Sequence, residues 1–564
     1  MQPKQSKQTR QGDMETRGRR EFLKATLHVL KNRVFISFAS GILMGLTVAP
    51  FGAWFFTWIA LAPLWAIVVN SAQRNNSSPL HLISPSLAWG IGYHGIALSW
   101  ITGIHPMTWM GVPWLASLAI ALFCWTFITL WGAALVATWA TCFSLVLNFQ
   151  VWTHRKFKSF SPSAPPPLVR VLIGTGIWCG LEALWSAGPL WWTSLSYTQS
   201  PQNLVILHLG QLSGPSAVTA AIVAVNGLLA EAWINRRGAE NTEKRTQFLT
   251  SAPLRLSYLV SAVALFILLH LIGLSLYSRP LVQQPEAALK VGIVQGNVPN
   301  EIKLFREGFR RAIEGYTTGY VTLTDRGVDA VLTPEGALPF FQNEIVTSSL
   351  VDAVREKKKV AWIGGFYRDG RSYTNSLFTV TGSGVIFSRY GKVKMVPIGE
   401  YVPFEEILGG LIDRLSPLKE HQVAGKQNQV FDTPFGRAIV GICYESAFSE
   451  HFRRQAAVGG EFILGPSNDA HYSAAMPTQH HAQDIMRAIE TDRWAVRATN
   501  TGYSAFVDPH GRTLWISGHN TYEVHAETVY RLQSKTLYVL WGDWLTPLLL
   551  GLGGLGWFVG NRFS

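Results

Sequence analysis

Residues 441–448 read GICYESAF and put a cysteine where one kind of sequence gives way to another. The run before it, GRAIVGIC, is apolar and strand-like, while the run after it, SAFSEHFRRQAA, has helical spacing and reads as a helix opening at Ser446. A nucleophile at a strand-to-helix turn is held exposed, and a nearby helix N-terminus favours its thiolate. The other three cysteines, Cys124, Cys142 and Cys179, sit in apolar runs long enough to cross a bilayer, where a thiol serves as a small buried hydrophobe. A lone cysteine is often an inert core residue too, so Cys443 gains weight only from its company.

That company lies upstream. Across residues 288–536 strand-like runs (ALKVGIVQ, VDAVLTP, VAWIGGFY, GRAIVGIC, EFILGPS, WAVRATN) alternate with helical spacing at 301–326, 343–358, 446–457 and 477–492, which predicts an α/β sandwich. Ligands of open α/β sheets gather at the carboxyl ends of strands. Glu335 ends one such strand in VLTPEGALP, Cys443 ends another, and Lys392 follows a third in SRYGKVKMVPIGEYVPFE. An ordinary thiol is mostly protonated at neutral pH and needs a base or a cation beside it. Glu335 can take the thiol proton; Lys392 can stabilise a thiolate and then an oxyanion, helped by the backbone N–H of Tyr444. Taken singly, Glu335 also reads as a helix cap or surface carboxylate, and Lys392 as a solvated charge.

The rest of the chain has a different composition. Of 564 residues 48% are hydrophobic, with 22 Trp and 30 Phe, and the apolar runs fill the first half and the last two dozen residues. A spanning helix needs about 20 apolar residues. Eight candidates satisfy this approximately: 34–50, 53–70, 86–104, 112–147, 168–187, 203–234, 257–277 and 537–560. The predicted organisation is a basic N-tail (1–33), a membrane domain of seven spans (34–277), an α/β domain (288–536) and a closing span (537–560). The net charge of +13 points away from nucleic acid because of where it lies: nine Lys or Arg fall in residues 1–33 and the other clusters sit between apolar runs. Loops 71–85, 148–170 and 235–256 carry one, four and five Lys or Arg, whereas 51–52, 105–111 and 188–202 carry none. The positive-inside rule then puts both termini in the cytoplasm and the α/β domain outside. Glu182, within the fifth span, reads either as a functional intramembrane carboxylate or as one capped near the outer interface.

VLTPEGALP, YGKVKMVPIGEYVP, GICYE and SNDA, in this order and spacing, resemble the Glu-Lys-Cys pattern of the nitrilase (carbon–nitrogen hydrolase) superfamily. Together with VQGNVPNEIK, PTQHHAQDIMRAIE, RATNTGYSAFVDPHG and LYVLWGDW, they resemble more closely the apolipoprotein N-acyltransferase family, over nearly the whole chain. The resemblance implies a nitrilase-like αββα sandwich on the periplasmic side of about eight spans in a bacterial cytoplasmic (inner) membrane. It implies Cys443 as nucleophile, Glu335 as general base and Lys392 as electrostatic stabiliser. Glu400 matches a second essential glutamate, the competing reading being a structural carboxylate paired with Lys392; Tyr444 and Glu445 flank the nucleophile and shape the acyl and amine sites. The implied reaction moves an acyl chain from a phospholipid donor, through a thioester, to the α-amine of a diacylglyceryl-modified apolipoprotein. A membrane-tethered amidase and a silent lipid or lipoprotein receptor are the rival readings.

The chain departs from the family pattern at Leu304, where a Trp commonly follows the lysine; at His471, Tyr472 and Ser473 after SNDA; and in the fifth span after Glu182. No cofactor is implied, since no glycine-rich nucleotide loop precedes a helix. No metal is implied either, because the adjacent His480 and His481 point to different helix faces. Cys443 has no disulfide partner in its domain. Residues 404–418 carry apolar side chains at helical spacing and predict a mobile amphipathic arm between site and bilayer.

Overall fold

In the computed structural model, residues 32–72, 80–156, 165–240, 245–397, 399–401 and 421–562 are described; the 404–418 arm lies outside them. The first half is helical: α1 (Arg33–Gly45), α2 (Ala62–Ala72), α3 (Leu80–Ala97), α4 (Trp114–Lys156), α5 (Pro167–Ala187), α6 (Pro215–Glu240) and α7 (Arg245–Tyr277). Their packed faces carry large side chains such as Trp65, Trp89, Trp139 and Trp178, all essentially inaccessible. The opposite faces leave Phe123, Phe127 and Leu130 of α4 and Val260, Val263, Ile267 and Leu271 of α7 exposed, an apolar outer surface suited to lipid.

Among the described residues five helical stretches are long and apolar enough to cross a membrane: Trp54–Ala72, Trp114–Asn148, Pro167–Ala187, Pro215–Ile234 and Leu256–Tyr277. The sequence predicts about eight spans, and the runs at 34–50, 86–104 and 537–560 are not among these five. The run at 203–234 keeps its span as Pro215–Ile234 but is broken at Gly214, whose φ of +70° with ψ of −156° is open only to glycine, so two short turns precede α6. The first run stops at Gly45, the third turns into a 3-10 segment at Ser99–Ile104, and the last helix begins only at Leu545.

Beyond α7 the chain builds two sheets. The strands are β1 (Ala288–Gln295), β2 (Ala330–Leu332), β3 (Val360–Asp369), β4 (Ser372–Val380), β5 (Ile386–Gly391), β6 (His421–Gln422), β7 (Phe431–Thr433), β8 (Gly436–Val440), β9 (Phe462–Ser467), β10 (Ala495–Thr499), β11 (Ala505–Val507), β12 (Thr513–Ile516) and β13 (Glu523–Tyr530). The first sheet runs β13-β1-β2-β3-β4-β5 with β6 beside β4; the second runs β12-β11-β10-β9-β8-β7. The β1-β2-β3 and β8-β9-β10 pairings are parallel. Val291, Ile293, Leu332 and Trp362 of the first sheet share one core with Val440, Leu464, Val496 and Phe506 of the second. Outside the first sheet lie α8 (Arg306–Asp325) and α9 (Ser349–Lys357), sealed by Tyr316, Tyr320, Leu350 and Val354. Outside the second lie α10 (Ser449–Ala457) and α11 (Ala475–Thr491), after which α12 (Leu545–Arg562) closes the chain.

This sandwich is αββα, and its fourth layer is shared with the membrane helices. Every residue of α11 from Gln479 to Thr491 is buried, although the helix carries His480, His481, Asp484, Arg487 and Glu490. Ile485, Met486 and Ile489 belong to the same apolar cluster as Trp58, Trp139 and Ile222 of the membrane half. The loop after α5, read from sequence as an outward connection, is covered too: Ser194, Ser196, Thr198, Gln199 and Ser200 are all buried.

Candidate active site

Three strand ends and two membrane loops converge on Cys443. β8 stops at Val440, and the cysteine follows with φ at +51°, a left-handed conformation that costs an L-residue roughly 1–2 kcal/mol. A 3-10 turn spans Cys443–Ala447 and α10 opens at Ser449, so the helix predicted from Ser446 starts three residues later. The thiol is also buried, at 5% exposure, rather than presented to solvent as the turn predicted. Burial pushes it well above the usual cysteine range and the charge of Glu335 adds to this, while Lys392 and a backbone N–H from Asn468 oppose it. The resting group is a thiol, not the favoured thiolate of the sequence reading.

Glu335 lies three residues past β2 on a tight segment that leans on β3. Gly364 makes that approach possible, because a Cβ there would sit 2.0 Å from the Pro334 carbonyl oxygen. Glu335 Oε1 accepts from Asn375 Nδ2 at 2.6 Å and from Lys392 Nζ at 2.8 Å. Lys392 leaves β5 with its N–H on the Asn375 carbonyl, 2.8 Å away, and its ammonium also reaches Glu400 Oε1 at 2.7 Å. Burial disfavours the charged lysine, but Glu335, Glu400 and Cys443 outweigh it and hold the ammonium well above its usual range. One cation therefore faces two carboxylates and a thiol. Glu400 is fixed by its second oxygen, which accepts from the Val396 N–H at 2.8 Å.

The two neighbours of the nucleophile face elsewhere. Glu445, fully buried, accepts from the backbone N–H groups of Val393 (2.6 Å), Lys394 (3.1 Å) and Ile442 (2.7 Å), tying the Lys392 segment to the nucleophile turn. Tyr444 points to the membrane half: its hydroxyl donates to the Pro189 carbonyl at 2.6 Å, and its ring stacks on Trp192 at 6.1 Å and 6°. Gln479 extends that seam, accepting from Trp192 Nε1 at 2.7 Å and donating to the carbonyls of Ala49 (2.9 Å) and Ala97 (2.8 Å).

Behind the cysteine is a second ionic group that sequence reasoning did not assign. Arg497 Nη1 meets Asp484 at 2.5 Å, while Nη2 lies 3.4 Å from Asp469 and 2.6 Å from His480 Nδ1. A guanidinium only donates, so His480 Nδ1 accepts and Nε2–H donates to the Cys443 carbonyl at 2.7 Å. Cys443, Asp469 and His480 offer ligand atoms within 4.8 Å of one another, the spacing of a metal site. With Arg497 bonded to two of the three, a cation there meets a fixed positive charge, so the group reads as a positioning network for the nucleophile turn. Asp469 lay in the quoted SNDA run and His480 and Asp484 in PTQHHAQDIM, whereas nothing in SYTNS marked Asn375.

Two departures from the family pattern meet at the site's mouth. His471 stacks on Trp109 at 5.6 Å, and Tyr472 meets Trp100 edge-on at 5.0 Å. His471 keeps an exposed edge, and the protein packed around it, with a smaller contribution from the Lys303 charge, lowers its pKa. Leu304, standing where a Trp is common, is 37% exposed beside Phe305 at 60%.

The family profile described as "Carbon-nitrogen hydrolase" matches residues 290–531, and that described as "Apolipoprotein N-acyltransferase N-terminal domain" matches 40–228. An apolipoprotein N-acyltransferase of Nostoc sp. is 64% identical over 514 residues, covering 91% of this chain and 97% of its own. That of Synechocystis sp. is 47% identical over 521 residues, covering 91% and 98%. Among solved structures, an amidase from Nesterenkonia sp. aligns with TM-score 0.33 and 17% identity over 46% of this chain and 95% of its own. On the strength of the full-length relatives, the chain belongs to the apolipoprotein N-acyltransferase family.

Proposed function

We propose that this enzyme transfers an acyl chain from a membrane phospholipid to the N-terminal amine of a diacylglyceryl-modified apolipoprotein, with Cys443 carrying the acyl group between the two. The observation that best supports the reading is the seam at the cysteine. Glu335, Lys392 and Cys443 come from the α/β domain, while Tyr444 and Gln479 bind membrane loops through the Pro189 and Ala97 carbonyls. An amidase tethered by one span has no use for that join.

The chemistry follows from the charges. Asn375 and Lys392 both take Glu335 Oε1, leaving Oε2 for the thiol proton. As the proton passes to Glu335, sulfur attacks the ester carbonyl, and Lys392 stabilises the oxyanion that forms. Glu335 returns the proton to the departing glycerol oxygen, leaving a thioester and a lysophospholipid. In the second half the acceptor amine attacks the thioester, gives a proton to Glu335, and the thiol is restored. A thioester that must wait for a protein amine needs a site closed to bulk water, and burial under the membrane loops supplies one.

Incubation with defined phospholipid and a diacylglyceryl-cysteine peptide is expected to add one acyl mass at the peptide α-amine by mass spectrometry. Ammonia release from small amides with no acylated peptide favours the amidase instead. We place the α/β domain on the periplasmic side of the inner membrane, as the loop charges imply. Arg371, exposed between β3 and β4, reads this out: Arg371→Cys is expected to react with an impermeant maleimide in intact spheroplasts, and protection until lysis inverts the topology.

A further inference from the structure

Lys303 is a cation at the site that the chemistry above leaves unused. It ends the short helix Asn300–Lys303, and its ammonium reaches the Glu335 carbonyl oxygen at 3.4 Å. Among the described residues no carboxylate lies within ion-pairing distance of it, in contrast to Lys392 with two. Burial pushes Lys303 down to about 8, against the opposing pull of the nearby Glu335 charge. Beside the ammonium stands the buried Gly336, at φ +53°, where an added Cβ would come into ordinary contact with Nζ at 3.6 Å.

A second donor shares that turn. Asn300, at 7% exposure, has a buried side-chain nitrogen with no hydrogen-bond partner among the described residues. Residues three apart lie on one face of a helix, so Asn300 and Lys303 sit on the same side. Next to them Leu304 and Phe305 are exposed apolar surface, and the neutral His471 ring on Trp109 adds no competing charge. An ammonium with a spare amide donor, framed by apolar side chains at the mouth of a lipid-handling site, matches an amphiphile whose polar part is an anion.

We propose that Lys303 recognises the phosphodiester of the phospholipid donor and so sets the ester carbonyl over Cys443. The assignment rests on the acyl-donor reading above and adds which part of the donor is held, and by what. The acceptor's lipidated cysteine carries no phosphate, so only the first half-reaction depends on the contact. About six bonds separate an sn-1 ester carbonyl from phosphorus, a reach of roughly 6–7 Å, and Lys303 stands against the backbone of Glu335, the base that serves the thiol. Lys392 is held by two carboxylates and is not free to serve an anion in the same way.

The test compares two donors of the same acyl chain: a phospholipid and its phosphate-free p-nitrophenyl ester, each presented to the full-length protein in nanodiscs. Single-turnover acylation of Cys443 is read by mass for wild type, Lys303→Met and Lys303→Arg. Lys303→Met is expected to lose about 10- to 100-fold with phospholipid, the value of one charge-assisted contact, and under about threefold with the nitrophenyl ester. Lys303→Arg is expected to recover most of the phospholipid rate, and aminolysis of a preformed thioester to stay unchanged in both variants. Equal losses with both donors would assign Lys303 to site architecture or thiol activation and overturn the proposal, as would no loss with phospholipid. If wild type is acylated by the nitrophenyl ester but never by phospholipid, the donor reading itself fails, and this assignment with it.

Discussion

In the membrane half Arg170 meets Glu231, and in the α/β half Lys392 meets Glu335 and Glu400; all five are largely or wholly buried. The first cluster is saturated at its carboxylate. Arg170 bonds both Glu231 oxygens, its remaining nitrogen donates to the Pro165 carbonyl at 2.8 Å, and the Trp65 indole adds a contact to Glu231 at 3.4 Å. Each Arg170 nitrogen has an acceptor, and both Glu231 oxygens are taken. The second cluster is not saturated: Lys392 bridges two carboxylates, one Glu335 oxygen has no hydrogen bond among the described residues, and Lys303 stands by with no carboxylate of its own among them. A saturated ion pair in low dielectric fixes helices, whereas a carboxylate with an oxygen to spare holds proton affinity where a reaction can use it.

Breaking each cluster separates these roles. Glu335→Gln keeps shape and the Asn375 and Lys392 contacts but removes the proton acceptor, so Cys443 acylation is expected to slow by about 10²- to 10⁴-fold with folding retained. A loss of less than tenfold, with rapid-quench acylation as the readout, would move the base to another group. Arg170→Met should do the reverse. It takes the Arg170 guanidinium from the buried Glu231, a cost of about 3–5 kcal/mol, while acylation per folded molecule stays within about twofold. The smallest effect belongs to Arg170→Met combined with Glu231→Met, which should recover most of that loss, the remainder including about 1–2 kcal/mol for the Trp65 N–H without its acceptor. Thermal unfolding in one detergent resolves the three variants; an inactive but fully stable Arg170→Met would erase the distinction.

The same contrast explains what was legible in the sequence. Glu335, Lys392 and Cys443 each follow a strand, and a strand is a local pattern, so their meeting could be read from three short runs. Lys303, Asn375 and Arg497 meet the site only through tertiary folding, and nothing within ten residues of Asn375 announced it. Burial was misread for a related reason. The GICYESAF turn looks exposed when the α/β domain is considered alone, and it is buried because membrane loops and α11 close over it. Loop 188–202 lacks charge, which was read as a mark of sidedness; it also suits a segment packed beneath a second domain. Helix breaks at Gly214 and before Leu545 escaped a hydropathy count, since hydropathy averages across a change of backbone direction.

The central claim is that Cys443 carries the acyl chain of a phospholipid before any protein acceptor arrives. The direct measurement is incubation of wild-type protein and Cys443→Ser in bilayers with phospholipid bearing a labelled acyl chain and no acceptor. The expected result is label on wild type that neutral hydroxylamine removes, and no hydroxylamine-labile label on Cys443→Ser. Wild type that stays unlabelled by phospholipid, or label that persists through hydroxylamine, contradicts it.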